Sequence, residues 1–143
     1  MNDYVMNKVV FEYTGLDEAF PPVDPGVKPF GSRVLVQIRL PKHKTKGGLL
    51  LIGETRDTEA WNTQVAVVRS VGELAFKNRN TQELWPEGSW VDVGDFVRVP
   101  KYGGDRWSIG LPDDGGEVIF VLFNDLDLLG AITGDPLAVK AFI

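Results

Sequence analysis

Glycine and proline divide this chain too finely for long regular elements. There are 16 Gly and 9 Pro in 143 residues, and turn signals such as Val93-Gly94-Asp95, Tyr102-Gly103-Gly104 and Asp113-Asp114-Gly115-Gly116 recur between short apolar runs. Proline removes a backbone donor and fixes φ, while glycine admits conformations that other residues resist. The pattern predicts strands of about 4–8 residues joined by turns.

The strands can be read in order. Residues 33–40 alternate, with Val34, Val36, Ile38 and Leu40 on one face and Leu35, Gln37 and Arg39 on the other. One of those faces is expected to pack into a core. Residues 64–71 are rich in β-branched Val, 96–99 and 107–109 are shorter candidates, and 117–123 are the most hydrophobic and are expected to be central. Asn124 is placed to cap a helical turn over 125–129, and 130–133 read as a last short strand. The predicted class is an all-β domain, a small barrel or sandwich. Residues 1–28 are set apart by their acids and by Phe20-Pro21-Pro22-Val23-Asp24-Pro25-Gly26, and are read as an extension outside the main fold. Residues 134–143 read as a tail.

Composition removes several function classes. With no Cys, there is no disulfide, thiolate zinc site, iron–sulfur cluster or cysteine nucleophile. With one His, His43, there is no multi-histidine metal site. Residues 118–123, the longest apolar run, fall far short of the about 20 residues of a bilayer span. Residues 1–20 do not read as a signal peptide. A net charge of −5 argues against general nucleic-acid binding. His43 sits in a basic stretch and reads as a solvated loop residue. Asp113-Asp114-Gly115-Gly116 lacks the ligand alternation of a calcium loop. No catalytic residue, metal ligand or bound cofactor is therefore expected.

One segment does not fit its surroundings. Residues 42–62 begin with Lys42, His43, Lys44 and Lys46, pass through Gly47-Gly48, and then carry Leu49-Leu50-Leu51-Ile52 before Gly53. The aliphatics suit a buried strand, whereas the flanks are those of a loop. Both readings stay open on the residues alone. The default for a chain without a plausible active site is a binding module.

A series of motifs resembles the GroES co-chaperonin family. It runs through Pro29-Phe30-Gly31-Ser32-Arg33-Val34-Leu35-Val36, Lys46-Gly47-Gly48-Leu49-Leu50-Leu51, and Val65-Ala66-Val67-Val68-Arg69-Ser70-Val71-Gly72. Val93-Gly94-Asp95-Phe96-Val97, Glu117-Val118-Ile119 and Leu129-Gly130-Ala131-Ile132 complete it. The resemblance implies an irregular β-barrel over 29–133, with a long mobile loop at 42–62 and a roof insert at 73–90. It implies a heptameric ring that caps a GroEL-type chaperonin around an unfolded client protein, with ATP or ADP bound by the partner and not by this chain. On that resemblance Gly47, Gly48, Leu49, Leu50, Leu51 and Ile52 dock on the chaperonin. Val27, Pro29 and Phe30 meet Gly130, Ala131, Ile132 and Thr133 of a neighbouring subunit, and Phe76, Trp85 and Trp90 belong to the roof. The chain departs from the pattern in its first 28 residues, in Ser32 where the family usually has Asp, in the Trp-rich insert and in its tail. These departures resemble a bacteriophage-encoded member acting in the host cytoplasm on a capsid protein. The expected partners include neither nucleic acid nor a membrane. The alternative is a small β-barrel module for nucleic-acid binding or virion assembly, with 39–46 contacting phosphate.

Overall fold

The computed structural model describes residues 15–40, 64–112 and 116–139. A short helix, α1 (Leu16–Ala19), precedes six strands. They are β1 (Arg33–Ile38), β2 (Val65–Val71), β3 (Phe96–Arg98), β4 (Asp105–Gly110), β5 (Glu117–Asn124) and β6 (Gly130–Ala131). They form one sheet in the order β4-β5-β1-β2-β3-β6, and every neighbouring pair is antiparallel. The all-β expectation holds. β5 lies inside the sheet, between β4 and β1, while β1 and β2 take the middle.

The sheet coils around a core. Val34, Val36 and Ile38 of β1, Ala66 and Val68 of β2, Val97 of β3, and Val121 and Phe123 of β5 share one buried cluster with Phe76, Val91 and Leu128. Strands this far apart reach one cluster because sheet twist brings their inner faces together, which makes the domain a small irregular barrel. Alternation along β1 is what aims Val34, Val36 and Ile38 inward. Leu35 faces Ser70 but Val36 faces Val68, so Arg69 is an extra residue that bulges from β2. At the end of β2, a side chain on Gly72 would collide with the Gly31 carbonyl oxygen. The Gly72 N–H instead donates to the Arg33 carbonyl at 2.8 Å, and Leu74 N–H to that of Gly31 at 2.9 Å. Glycine is thus what lets the insert start hard against β1.

The outer face of the sheet is also covered, in part by residues 19–25 of the segment read as an extension. Leu35, Gln37 and Arg39 are as buried as their inward neighbours, and Ala19 and Phe20 lie under neighbouring side chains. Leu35, Val118 and Phe120 form an outer cluster with Val23, Trp107 and Ile109 packed on it. A proline-rich strap offers few donors but keeps all its carbonyls. Those carbonyls accept from side chains: Gln37 Nε2 donates to Pro21 at 2.8 Å, Arg69 Nη2 to Phe20 at 3.1 Å, and Trp107 Nε1 to Pro25 at 2.9 Å.

Two boundaries move for local reasons. β1 ends at Ile38 because Leu40 N–H turns away to donate to the Ala19 carbonyl at 2.8 Å. The expected helical turn over 125–129 is a 3-10 turn, Asp125–Asp127, and Asn124 makes no side-chain cap. Asp125 does the bonding instead. Its Oδ1 accepts from Leu126 N–H at 2.8 Å and its Oδ2 from Phe76 N–H at 2.9 Å.

Candidate functional site

Gly47, Gly48, Leu49, Leu50, Leu51 and Ile52, the docking residues implied by the resemblance, lie outside the described residues, as does His43. The base of their segment is described. Arg39 N–H donates to the Val65 carbonyl at 2.8 Å, Leu40 N–H to Ala19 at 2.8 Å, and Val99 N–H to Gln64 at 3.1 Å. Arg39 and Val65, which flank the residues outside the description, are therefore held side by side at the end of the β1–β2 pair. Val65 and Val67 belong to a cluster with Ala19 and Phe20, on which Phe96, Ile132, Leu137 and Val139 pack.

The expected subunit-interface residues separate into two places. Gly130 and Ala131 pair with Arg98 and Val97 of their own chain. Ile132 N–H donates to the Phe96 carbonyl at 2.9 Å and its side chain packs on the cluster of Ala19, Phe20, Val65 and Val67, while Thr133 is exposed. Val27 and Phe30 are exposed, Phe30 at 77%, and Pro29 is buried in its own chain. Beside β6 a groove of about 350 Å³ is lined by Trp90, Val91, Val97, Leu128, Leu129, Gly130 and Ala131. Leu129, on its rim, is 62% exposed. The apolar pair Leu128-Leu129 before Gly130 was the sequence signal for this groove, and sequence reasoning passed over it.

The roof residues also divide. Phe76, within the insert, is fully buried in the inner core. Trp85 meets it edge-on at 5.5 Å between ring centroids and Trp90 at 5.7 Å, and the two Trp rings are 5.2 Å apart. Edge-to-face and tilted contacts at these distances suit the ring quadrupoles. The trio forms the base of a small hairpin. Lys77 bridges Leu84, Asn78 N–H donates to Glu83 at 2.7 Å, and Asn78 Oδ1 accepts from Asn80 and Thr81 N–H at 2.8 and 3.1 Å. Phe76 has φ 61°, a costly conformation for a ring-bearing residue. The Asp125 carboxylate, which takes the Phe76 N–H, holds it there.

Two guanidinium groups organise the remaining surface. Burial pushes Arg69 below the usual arginine range, opposed in part by Asp17. Burial also lowers Arg106, which donates to the Gly103 and Lys101 carbonyls at 2.9 and 3.1 Å and lies 5.8 Å from the Phe123 ring centroid. Among the described residues there is no group of His, Asp and Glu that could hold a metal ion, and no helix long and apolar enough to cross a membrane.

Comparison with known proteins gives this arrangement a family. Residues 26–132, which contain all six strands, match the family described as the chaperonin 10 Kd subunit. The chain belongs to the chaperonin 10 family. It is 33% identical over 112 residues to the co-chaperonin GroES of Methylacidiphilum infernorum, covering 78% of this chain and 99% of the relative. It is 31% identical over 109 residues to the mitochondrial 10 kDa heat shock protein of Saccharomyces cerevisiae, covering 76% and 91%. For the GroES of Fusobacterium nucleatum the figures are 28% over 106 residues, 74% and 97%. The chain is thus a GroES-type co-chaperonin, and membership at that level supports a non-catalytic role. The relatives are matched almost end to end, while about a quarter of this chain stands outside the alignments. The strap over 16–25 and the tail beyond Ile132 fall in that added part.

Proposed function

We propose that this chain forms a ring lid on a GroEL-type chaperonin and encloses a folding client while the partner holds nucleotide. The observation that carries the reading is the family match across the whole sheet, with the Gly47-Gly48-Leu49-Leu50-Leu51-Ile52 segment inserted between β1 and β2. Fully burying one Leu or Ile yields about 1.5–3 kcal/mol, so one loop tip gains about 5–10 kcal/mol on docking. Ordering backbone costs about 1–2 kcal/mol per residue, which removes most of that gain for a single loop. Several loops on one ring act at high effective concentration, and avidity supplies the rest. Weak single contacts also let the lid leave when the chaperonin changes state.

The ring is a heptamer on this reading. Support comes from β6, which pairs with β3 along one edge only, and from the exposed Val27 and Phe30. The added segments favour a phage-encoded lid working in the host cytoplasm on a capsid protein.

The test is to mix the purified chain with GroEL, with and without ADP, and to follow co-elution on a sizing column. ADP-dependent co-elution is expected. A folded chain that never co-elutes overturns the reading. Leu50→Asp should abolish co-elution while leaving the circular dichroism spectrum unchanged. An unfolded Leu50→Asp variant would instead make Leu50 a core residue.

A further inference from the structure

Residues 16–25 and 133–139 stand outside the family match at opposite ends of the chain, yet they meet. Both pack on the cluster of Ala19, Phe20, Val65 and Val67, the first through its own Ala19 and Phe20, the second through Leu137 and Val139. The outer face of β1 and β2 is built to receive them. Gln37 Nε2 reaches the Pro21 carbonyl at 2.8 Å, Arg69 Nη2 that of Phe20 at 3.1 Å, and Arg39 Nη1 that of Pro136 at 2.8 Å. Gln37 Oε1 also accepts from Arg69 Nε at 2.8 Å, so the contacts are linked. Gln37 and Arg39 are almost wholly buried. Burying such groups costs free energy unless every donor finds an acceptor, and the added segments provide those acceptors.

The place where they meet matters. Arg39 and Leu40 are the last described residues before 41–63, and Gln64 and Val65 the first after it. Leu40 N–H is held by the Ala19 carbonyl and Arg39 N–H by that of Val65. The incoming stem and both added segments thus share one cluster, and backbone bonds from Leu40 to Ala19 and from Arg39 to Val65 tie the outgoing stem to it. We infer that the two added segments close on each other as a clasp that fixes the stems of the partner-docking segment. Gln37, Arg39 and Arg69 act as positioning residues. A segment whose ends are held has fewer conformations to lose on docking, so the clasp strengthens each contact before avidity multiplies it. The binding consequence rests on the lid reading above, while the clasp itself does not.

The experiment uses the full chain with Phe20→Ala, Leu137→Ala and the double variant, read by amide hydrogen exchange and by binding to GroEL with ADP. In the unsubstituted chain Leu40 N–H should be protected like the β2 amides, and exchange at the rate of an open loop overturns the clasp whatever the variants do. Either single substitution should speed exchange at Arg39 and Leu40 by about tenfold or more, with the β5 amides unchanged, because the opening is local. The double variant should exchange no faster than the faster single one, because both remove the same structure. Effects that multiply, or that stay at the substituted end, overturn it. The singles should also bind GroEL about tenfold more weakly, since loss of preorganisation is felt in every loop. Loosened stems with unchanged binding overturn the positioning role. An unsubstituted chain that shows the exchange pattern but does not bind GroEL counts against the lid reading and leaves the clasp standing.

Discussion

Along β1 the two faces of the sheet are buried to the same depth by different chemistry. The inner face is Val, Ile, Ala and Phe from four strands, closed by Phe76, Val91 and Leu128. Shape and apolar area hold it, and nearly all of it comes from the region shared with the family. The outer face mixes Leu35, Val118 and Phe120 with Gln37, Arg39 and Arg69, and its cover is a proline-rich strap and a tail. Hydrogen bonds to strap and tail carbonyls join packing in holding it. A shared barrel can thus gain a second layer without any change to its strand order, provided that a few outward side chains can donate to irregular backbone.

The largest expected effect breaks the inner face. Phe123 is 1% exposed and sits opposite Val34 in the β1–β5 ladder. Phe123→Ala should cost about 3–5 kcal/mol, the usual range for a large-to-small change in a close-packed core. Urea unfolding should show one transition shifted as a whole. If the loss were instead confined to one edge of the sheet, the inner cluster would not be a single cooperative unit.

An intermediate effect tests the rim where the inner face meets the hairpin. Asp125→Ala leaves the buried Phe76 N–H without its acceptor while Phe76 stays at φ 61°. The expected cost is about 2–3 kcal/mol, near the top of the range for an unsatisfied buried donor. Asp125→Asn keeps one acceptor oxygen and should fall between this variant and the unsubstituted chain. Trp fluorescence reports the event directly, because Trp85 and Trp90 rest on Phe76. A stability loss with unchanged fluorescence would mean that the carboxylate does not position the aromatic trio.

The inner face was legible in the sequence and the outer layer was not, for a physical reason. Period-2 alternation at Val34, Val36 and Ile38 and the Val-rich run of β2 carry burial information in residue type. The strap carries it in carbonyl groups, which every residue has. Pro21, Pro22 and Pro25 therefore read as a break, and Gln37 and Arg39 only as the second face of a strand expected to bury one. The signal that was present is subtler: two long polar side chains in an otherwise apolar strand, on a chain with a proline-rich segment nearby. The role of Asp125 was hidden for a similar reason, because its partner is a backbone N–H 49 residues away. Phe76 was placed in the roof on the family resemblance, and residue type alone did not show that its ring would be buried in the inner cluster. The docking residues 47–52 lie outside the described residues, so only their base could be compared.

The smallest expected effect isolates the outer layer's hydrogen bonding from its packing. Gln37→Leu keeps a side chain of similar length in a site that is fully buried, but removes the donor to Pro21 and the acceptor for Arg69. Apolar contact is largely retained, so the cost should be about 1–2 kcal/mol, that of leaving partly buried partners unpaired. It should fall well below that of Phe123→Ala, and limited proteolysis should open the chain first near 16–25, with the β1–β5 ladder intact. A neutral Gln37→Leu would show that the strap is held by apolar contact alone. The two faces would then differ in composition but not in mechanism.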